Sequence, residues 1–429
     1  MKQKEVTGKG FETKPVLAWA LYDWANSAYA TTIMAGFFPL FFKQYWSTGV
    51  DVHTSTFHLG MANALAGIVV AILAPVLGSI ADKSGSKKKF LLFFAVMGMV
   101  MTGSLGLVAQ GKWIAAAILY ALANIGFSGG NIFYDSLLVS IAEKRKMDFV
   151  SALGYSLGYL GGGILFALNV LMTLKPHVFG LASSVEAVRL SFLTVAVWWA
   201  LFSIPIFVFV KEPRTEVGKS VAGVIGAGVN QLLTTFRQIR KLRHIFLFLL
   251  AYWCYIDGVD TTVLMAVDYG LALGFDQTVL IKALLITQLI GFPAAILFGK
   301  IGEKFGTKTG IFIGISVYIL VAVWGFFMND PNEFYVLAIA VGLVQGGIQS
   351  LSRSFFGKII PAECAAEFFG FYNMLGKFAA VLGPLLMGLM SMVTGNPRYS
   401  IFAIILLFVG GASILSAVRV NTIAGAGKG

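Results

Sequence analysis

The sequence predicts an all-α membrane protein of twelve transmembrane helices, arranged as two pseudo-symmetric six-helix bundles. Three observations predict it. The 429 residues are 58% hydrophobic and only 12% charged, with mean hydropathy +0.82, too little charge to coat a soluble core of that size. Apolar stretches of roughly 20 residues, the length that spans a bilayer, recur from end to end. Of the 32 Lys and Arg, 24 fall in the termini and in segments 82–89, 143–148, 211–243, 300–308 and 358–367, against five in the opposite loops and three within spans. That sorting is the positive-inside signature. It predicts an inner-membrane protein with both termini cytoplasmic, and it accounts for the net charge of +12 without a nucleic-acid partner. The polar start, residues 1–14, precedes no cleavable apolar segment, so no removable signal peptide is expected.

The helices are expected at 16–42, 57–81, 89–110, 113–141, 149–174, 187–210, 244–271, 277–301, 309–328, 333–360, 366–394 and 398–419. Residues 1–210 form the first bundle, 211–243 a cytoplasmic linker and 244–429 the second bundle. Helix one carries Asp23, Asn26, Ser27 and Thr31 on one face, with Tyr22 and Tyr29 beside them. The end of helix two runs into Gly78-x3-Asp82-x2-Gly85-x-Lys87. Helix four places Asn124, Ser128, Asn131 and Asp135 at i, i+4, i+7 and i+11, one stripe of a helix. Helix five adds Ser151, Tyr155 and Tyr159, and its cluster Gly154, Gly158, Gly161, Gly162 and Gly163 permits close helix approach.

In the linker, Val229, Leu232, Leu233, Phe236 and Ile239 recur at helical spacing before a basic run, which predicts an interfacial amphipathic helix. Helix seven carries Asp257, Asp260, Thr261 and Asp268 as one stripe. Two carboxylates one turn apart in low dielectric do not both ionise easily, which suits Asp257 as a proton carrier, with Asp23 the second candidate. Lys282 in helix eight is expected to snorkel outward, and the same helix runs into Gly299-x3-Glu303-x2-Gly306-x-Lys308, a second copy of the helix-two loop. Helix ten carries Gln345, Gln349, Ser352 and Arg353; helix eleven carries Asn373 and Lys377. Trp19, Trp113 and Trp324, towards span ends, read as interfacial anchors.

Polar side chains within spans are costly in hydrocarbon and face the bundle interior or a water-filled path. Stripes on six helices therefore describe one polar cavity between the halves. Asp135 and Arg353, near matching depths of helices four and ten, are expected to pair when the cytoplasmic side closes. Cys254 and Cys364 read as packing residues rather than a disulfide or metal site. The four histidines show no ligand spacing, so neither metal nor cofactor is expected. No nucleophile or phosphate loop points to an enzyme.

The duplicated loop resembles that of the major facilitator superfamily, in which it latches the cytoplasmic ends in one conformation. The resemblance implies the major facilitator fold, and a latch role for Gly78, Asp82, Gly85 and Lys87 and for Gly299, Glu303, Gly306 and Lys308. Three stretches are more particular: Tyr22-Asp23-Trp24-Ala25-Asn26-Ser27-Ala28-Tyr29, Gln349-Ser350-Leu351-Ser352-Arg353-Ser354, and Ala366-Glu367-Phe368-Phe369-Gly370-Phe371-Tyr372-Asn373 continuing through Gly376-Lys377 to Gly383-Pro384. They are similar to the Atg22-like branch, whose yeast member is a vacuolar amino-acid effluxer. The expected function is a secondary active transporter of a small polar or zwitterionic solute, amino acids favoured, working by alternating access with protons as coupling ion. The expected unit is a monomer in the lipid bilayer. A larger cargo such as a siderophore or peptide stays open as an alternative. A lipid handler or receptor is the alternative of another class, against which the polar stripes and the lack of a large soluble domain argue.

Overall fold

The structure, a computed structural model, describes residues 13–212, 237 and 239–419. Among these residues every regular element is helical. We number the long helices α2 Val52–Ser84, α3 Lys87–Leu105, α4 Trp113–Ile141, α5 Met147–Leu174, α6 Ser184–Phe209, α7 Arg243–Ala272, α8 Gln277–Phe305, α9 Thr307–Phe327, α10 Pro331–Ile359, α11 Ala365–Thr394 and α12 Ile401–Ala417. These eleven are long and apolar enough to cross a membrane. The twelfth, α1, is the continuous helical run 13–46. In it α-helical Thr13–Ala28 and Phe38–Phe41 alternate with π-helical Tyr29–Phe37 and Phe42–Trp46.

Short connections make neighbouring helices within each half antiparallel, so the ends of α2, α4 and α6 lie with the start of α1 and the ends of α8, α10 and α12 with the start of α7. Contacts such as Asp82 with Ala366 and Asp148 with Ser354 bring both sets to one end of the bundle. We call it the basic end. Two of its turns, at Gly85 (φ 57°) and Gly306 (φ 95°), need a backbone conformation that glycine adopts freely. The buried apolar side chains gather in two clusters. One is built from α1–α6 around Trp19, Phe38, Phe133 and Trp199. The other is built from α7–α12 around Phe248, Tyr255, Tyr318 and Phe408. Large apolar side chains such as Leu107, Leu201, Leu320 and Leu406 are instead exposed, the pattern of a protein whose outer surface meets hydrocarbon.

Two expectations change here. Trp19 is not an interfacial anchor: it is fully buried, stacked on Tyr134 at 4.4 Å between ring centroids, with its indole N–H donated to the Tyr134 carbonyl at 2.9 Å. The linker helix expected around Val229–Ile239 falls mostly outside the described residues, as does the Asp268 side chain of the α7 stripe. Lys282 is exposed, Trp113 is half-buried against His58, and Trp324 is 46% exposed.

Candidate transport cavity and basic-end seal

The halves together line a cavity of about 400 Å³. Asp23, Asn26 and Thr31 reach it from α1, Asn131 and Asp135 from α4, and Tyr155 and Tyr159 from α5. Asp260 faces it from α7, Gln288 from α8, Gln345, Gln349 and Arg353 from α10, and Tyr372 and Asn373 from α11. Small residues make this possible. A Cβ on Gly158 would lie 2.6 Å from the Ser27 hydroxyl, and one on Gly161 would lie 2.6 Å from the Trp24 ring, so glycine alone lets α5 lie against α1. Asn26 donates its amide to Asn131 at 2.7 Å, fixing α1 to α4.

Arg353 closes the cavity towards the basic end. It is 2% exposed, and the groups that bond or stack with its guanidinium belong to the opposite half. One guanidinium nitrogen reaches Asp135 at 3.1 Å and Asp23 at 3.4 Å. Nε donates to the Ser151 hydroxyl at 2.9 Å and Nη2 to the Ser151 carbonyl at 2.8 Å. Its face is stacked by Trp19, Tyr134 and Tyr155, the last at 4.3 Å from guanidinium carbon to ring centroid. Asn373 donates to the free Asp135 oxygen at 3.1 Å, and the Tyr134 hydroxyl donates to Asp23 at 3.1 Å. A buried charge stripped of water is tolerable only when paired and fully hydrogen-bonded, and this cluster meets that condition. Lys377 lies opposite Asp260 and interacts with it electrostatically. The lining thus carries three carboxylates, Asp23, Asp135 and Asp260, and one guanidinium.

Beyond Arg353 the basic end is sealed by polar contacts between halves. Asp82, at the end of α2, accepts the backbone N–H groups of Ala366 and Glu367 at 3.1 and 2.8 Å, capping the start of α11, and pairs with Lys87 at 2.8 Å. A carboxylate at a helix N-terminus also meets the positive end of the helix dipole. Gly78 lies so close to the Ala366 carbonyl that a side chain would collide with it. The pseudo-symmetric side is built differently. Asp148, in the first turn of α5, accepts from Ser354 at 2.5 Å and from the Thr307 hydroxyl at 2.9 Å, and pairs with Lys358 at 2.6 Å. Glu303 meets Lys146 at 3.5 Å on a more exposed surface. Gly299 lies against Ala152 and Phe149 at the α5–α8 crossing.

Within each half a lysine holds the end of the sixth helix. Lys88 donates to the Phe207 and Val210 carbonyls at 2.6 and 2.7 Å, and Lys308 donates to those of Ser416 and Val418 at 3.0 and 2.9 Å. Lys308 therefore holds helix-end carbonyls of its own half, whereas its sequence counterpart Lys87 pairs with a carboxylate of its half, Asp82. Glu212, just past α6, accepts the Lys88 N–H at 2.9 Å, and burial holds its carboxyl above the usual range.

Most of the residues singled out from the sequence meet at this site, but Tyr22, Tyr29, Asn124, Ser128, Asp257 and Lys377 are not among those that line the cavity. Tyr22 and Tyr29 are fully buried inside the first half, Tyr22 against Tyr134 and Gly130, Tyr29 against Phe127 and Trp199. Asp257 is also buried, but its carboxylate faces α11, accepting Gly383 N–H at 2.9 Å and the Thr261 hydroxyl at 3.2 Å. Asn124 and Ser128 bond to Asn63 and to each other rather than to the cavity. Asp148 and Lys358 were not singled out. In sequence Asp148 and Lys358 are ordinary loop charges, and only the fold joins them across more than two hundred residues.

Comparison with known proteins fits this architecture. Residues 12–424 match the family described as "Vacuole effluxer Atg22 like". An MFS-type transporter of Bacillus subtilis, YxiO, is 42% identical over 412 residues, covering 96% of each chain. Autophagy-related protein 22 of Saccharomyces cerevisiae (strain S288c) is 23% identical, covering 95% of this chain and 92% of the yeast one. Among solved structures, the human organic anion transporter MFSD10 superimposes with a TM-score of 0.71 at 15% identity, covering 95% of this chain and 100% of that one. The proton:xylose symporter XylE superimposes at 0.69 with 11% identity, covering 95% of each.

Proposed function

Because the chain belongs to the Atg22-like vacuole effluxer family of major facilitator transporters, we propose that it carries a small zwitterion, amino acids favoured, by proton-coupled alternating access. The observation that carries the reading is the convergence of both signs of charge on one cavity, with Asp260 on α7 and Arg353 on α10. An ammonium group is received by the carboxylates. The carboxylate of the same solute is received by Arg353 or Lys377 once the basic end opens and Asp135 and Asp23 release the guanidinium. The cavity of about 400 Å³ sits at the small end of ligand pockets, roughly 300–1,000 Å³, which favours a compact solute over a siderophore. The surplus of carboxylate over guanidinium supports a proton as the ion that balances charge through the cycle.

The lysine and arginine asymmetry supports a cytoplasmic basic end in the inner membrane, which makes the arrangement described here closed to the cytoplasm. One polypeptide lines the whole cavity, which supports a monomer as the working unit. The test is purified protein in proteoliposomes with an imposed pH gradient, screened against pooled amino acids by mass spectrometry. Gradient-dependent movement of at least one amino acid, lost in Asp260→Asn, is expected. Movement of none of them removes the substrate assignment.

A further inference from the structure

The two halves repeat one small device. In α1, Asp23 and Ser27 are four residues apart and the hydroxyl donates to the carboxylate at 3.4 Å. In α7, Asp257 and Thr261 have the same spacing and the same bond at 3.2 Å. Each pair abuts a glycine in the fifth helix of its own half. A Cβ on Gly158 of α5 would lie 2.6 Å from Ser27 Oγ and 3.3 Å from Asp23 Oδ1. A Cβ on Gly383 of α11 would collide with the Thr261 hydroxyl and lie 2.6 Å from Asp257 Oδ1. The copies differ in counter-charge. Asp23 has Arg353 at 3.4 Å and the Tyr134 hydroxyl at 3.1 Å.

Among the described residues Asp257 has no such answer. It is fully buried, Oδ1 takes both of its donors, and Oδ2 has no hydrogen-bond partner. The ionisable groups around it are Cys254 and Asp260 on its own helix and Lys377 on α11, which answers Asp260. Helix α12 has none, Arg353 of α10 is held by the first half, and Lys282 of α8 is exposed. A bare carboxylate oxygen is costly in low dielectric. A proton on Oδ2 removes the charge and leaves Oδ1 able to keep both donors.

The bonds of Asp257 fall at a weak point of α11. The Gly383 N–H that would close a helical rung on residue 379 donates to Asp257, and Pro384 offers no N–H to residue 380. Where α11 touches α7, one backbone donor is thus absent and the donor before it is engaged by α7. Towards the basic end, the same helix supplies Tyr372 and Asn373 to the cavity and is capped by Asp82. We propose that Asp257 holds the coupling proton outside the substrate cavity and that its protonation sets the backbone of α11 at Gly383–Pro384. This rests on the proton-coupled reading above. Charged, Asp257 grips the Gly383 N–H strongly and holds the break. Protonated, it grips weakly, and the rung to residue 379 can re-form. The proton enters Oδ2 from one side of the membrane and leaves to the other, and no covalent bond other than that O–H is made or broken.

The test does not need the cargo. Spin labels at Thr394→Cys and Lys175→Cys, exposed outer ends of α11 and α5, are introduced with Cys254→Ser and Cys364→Ser, and their separation is measured by pulsed electron resonance. The parent is expected to shift its distance distribution between acid and mildly alkaline pH. Asp257→Asn is expected to hold the acid distribution throughout. Where Asp257→Asn fails to fold, Thr261→Val replaces it: losing one donor to the carboxylate should move the midpoint of the shift to higher pH. A parent that does not respond to pH, an Asp257→Asn protein that responds as the parent does, an unmoved midpoint in Thr261→Val, or a shift driven by sodium at constant pH overturns the proposal. Failure of every amino acid in the liposome screen leaves this measurement intact, so the two readings fail separately.

Discussion

Replacing Arg353 by methionine keeps most of the side-chain volume and removes a cation from the cavity floor. In the closed arrangement Asp135 and Asp23, with side chains 9% and 13% exposed, then face each other without a counter-charge, and the Ser151 carbonyl loses its donor. Removing one partner of a buried ion pair costs about 3–5 kcal/mol. When the basic end opens, the same acids separate into water, so most of that cost falls on the closed state alone. At 1.36 kcal/mol per factor of ten, the closed-to-open equilibrium should move by roughly two to three and a half orders of magnitude. Met147, 1% exposed with its sulfur against Gly357 of the other half, gives a reporter. Met147→Cys, with the native cysteines replaced, should be shielded from a membrane-impermeant maleimide in the parent and alkylated at least a hundredfold faster with Arg353→Met. The charge swap Asp135→Arg with Arg353→Asp should return much of the shielding. Unchanged alkylation in a folded Arg353→Met protein would refute the idea that this cluster holds the basic end shut.

Three further outcomes follow from the seal. Gly78→Val drives a side chain into the Ala366 carbonyl and should weaken closure by about 1–3 kcal/mol, read by the same thiol, whereas Gly388→Val, with open space around its Cα, should change nothing. Asp148→Asn and Lys358→Met should show coupling of about 1–3 kcal/mol in a double-mutant cycle on melting, because Asp148 is buried, while the exposed Lys146–Glu303 pair should give at most about 1 kcal/mol. For Glu212 the folded state binds its proton more tightly than the unfolded chain. Stability from this group therefore falls as pH rises through the carboxylate range, and Glu212→Gln should melt progressively higher than the parent as pH rises from acid to neutral. A constant gap across that range would contradict the assignment.

The spans were legible because hydropathy at this length has no other solution, and most helix ends fell within a few residues. The Asp135–Arg353 pair was legible too, since acids and bases at matching depth in a low dielectric must find one another. Trp19 was not: a tryptophan near a span end looks the same whether its N–H meets a headgroup or the Tyr134 carbonyl. Tyr29 was misplaced because it lies six residues after Asp23, about 240° round a helix wheel, and so turns into the core of its own half. Asp257 and Asp260 are three residues apart, about 60° on a helix wheel, enough for one to face the cavity and the other α11. Hydrophobic periodicity cannot separate two neighbouring polar positions of that kind.

The grip of Lys88 on the last carbonyls of α6, with Glu212 returning to the Lys88 N–H, has a consequence for how the polypeptide can be divided. The first bundle is stapled shut before the connector starts, so tension in the connector ends at that staple and does not reach the cavity floor. Covalent continuity between the bundles is then dispensable. Two fragments produced from a gene cut within 213–236 should find each other in the bilayer through the Asp82, Asp148 and Arg353 contacts and rebuild the cavity as a two-chain complex.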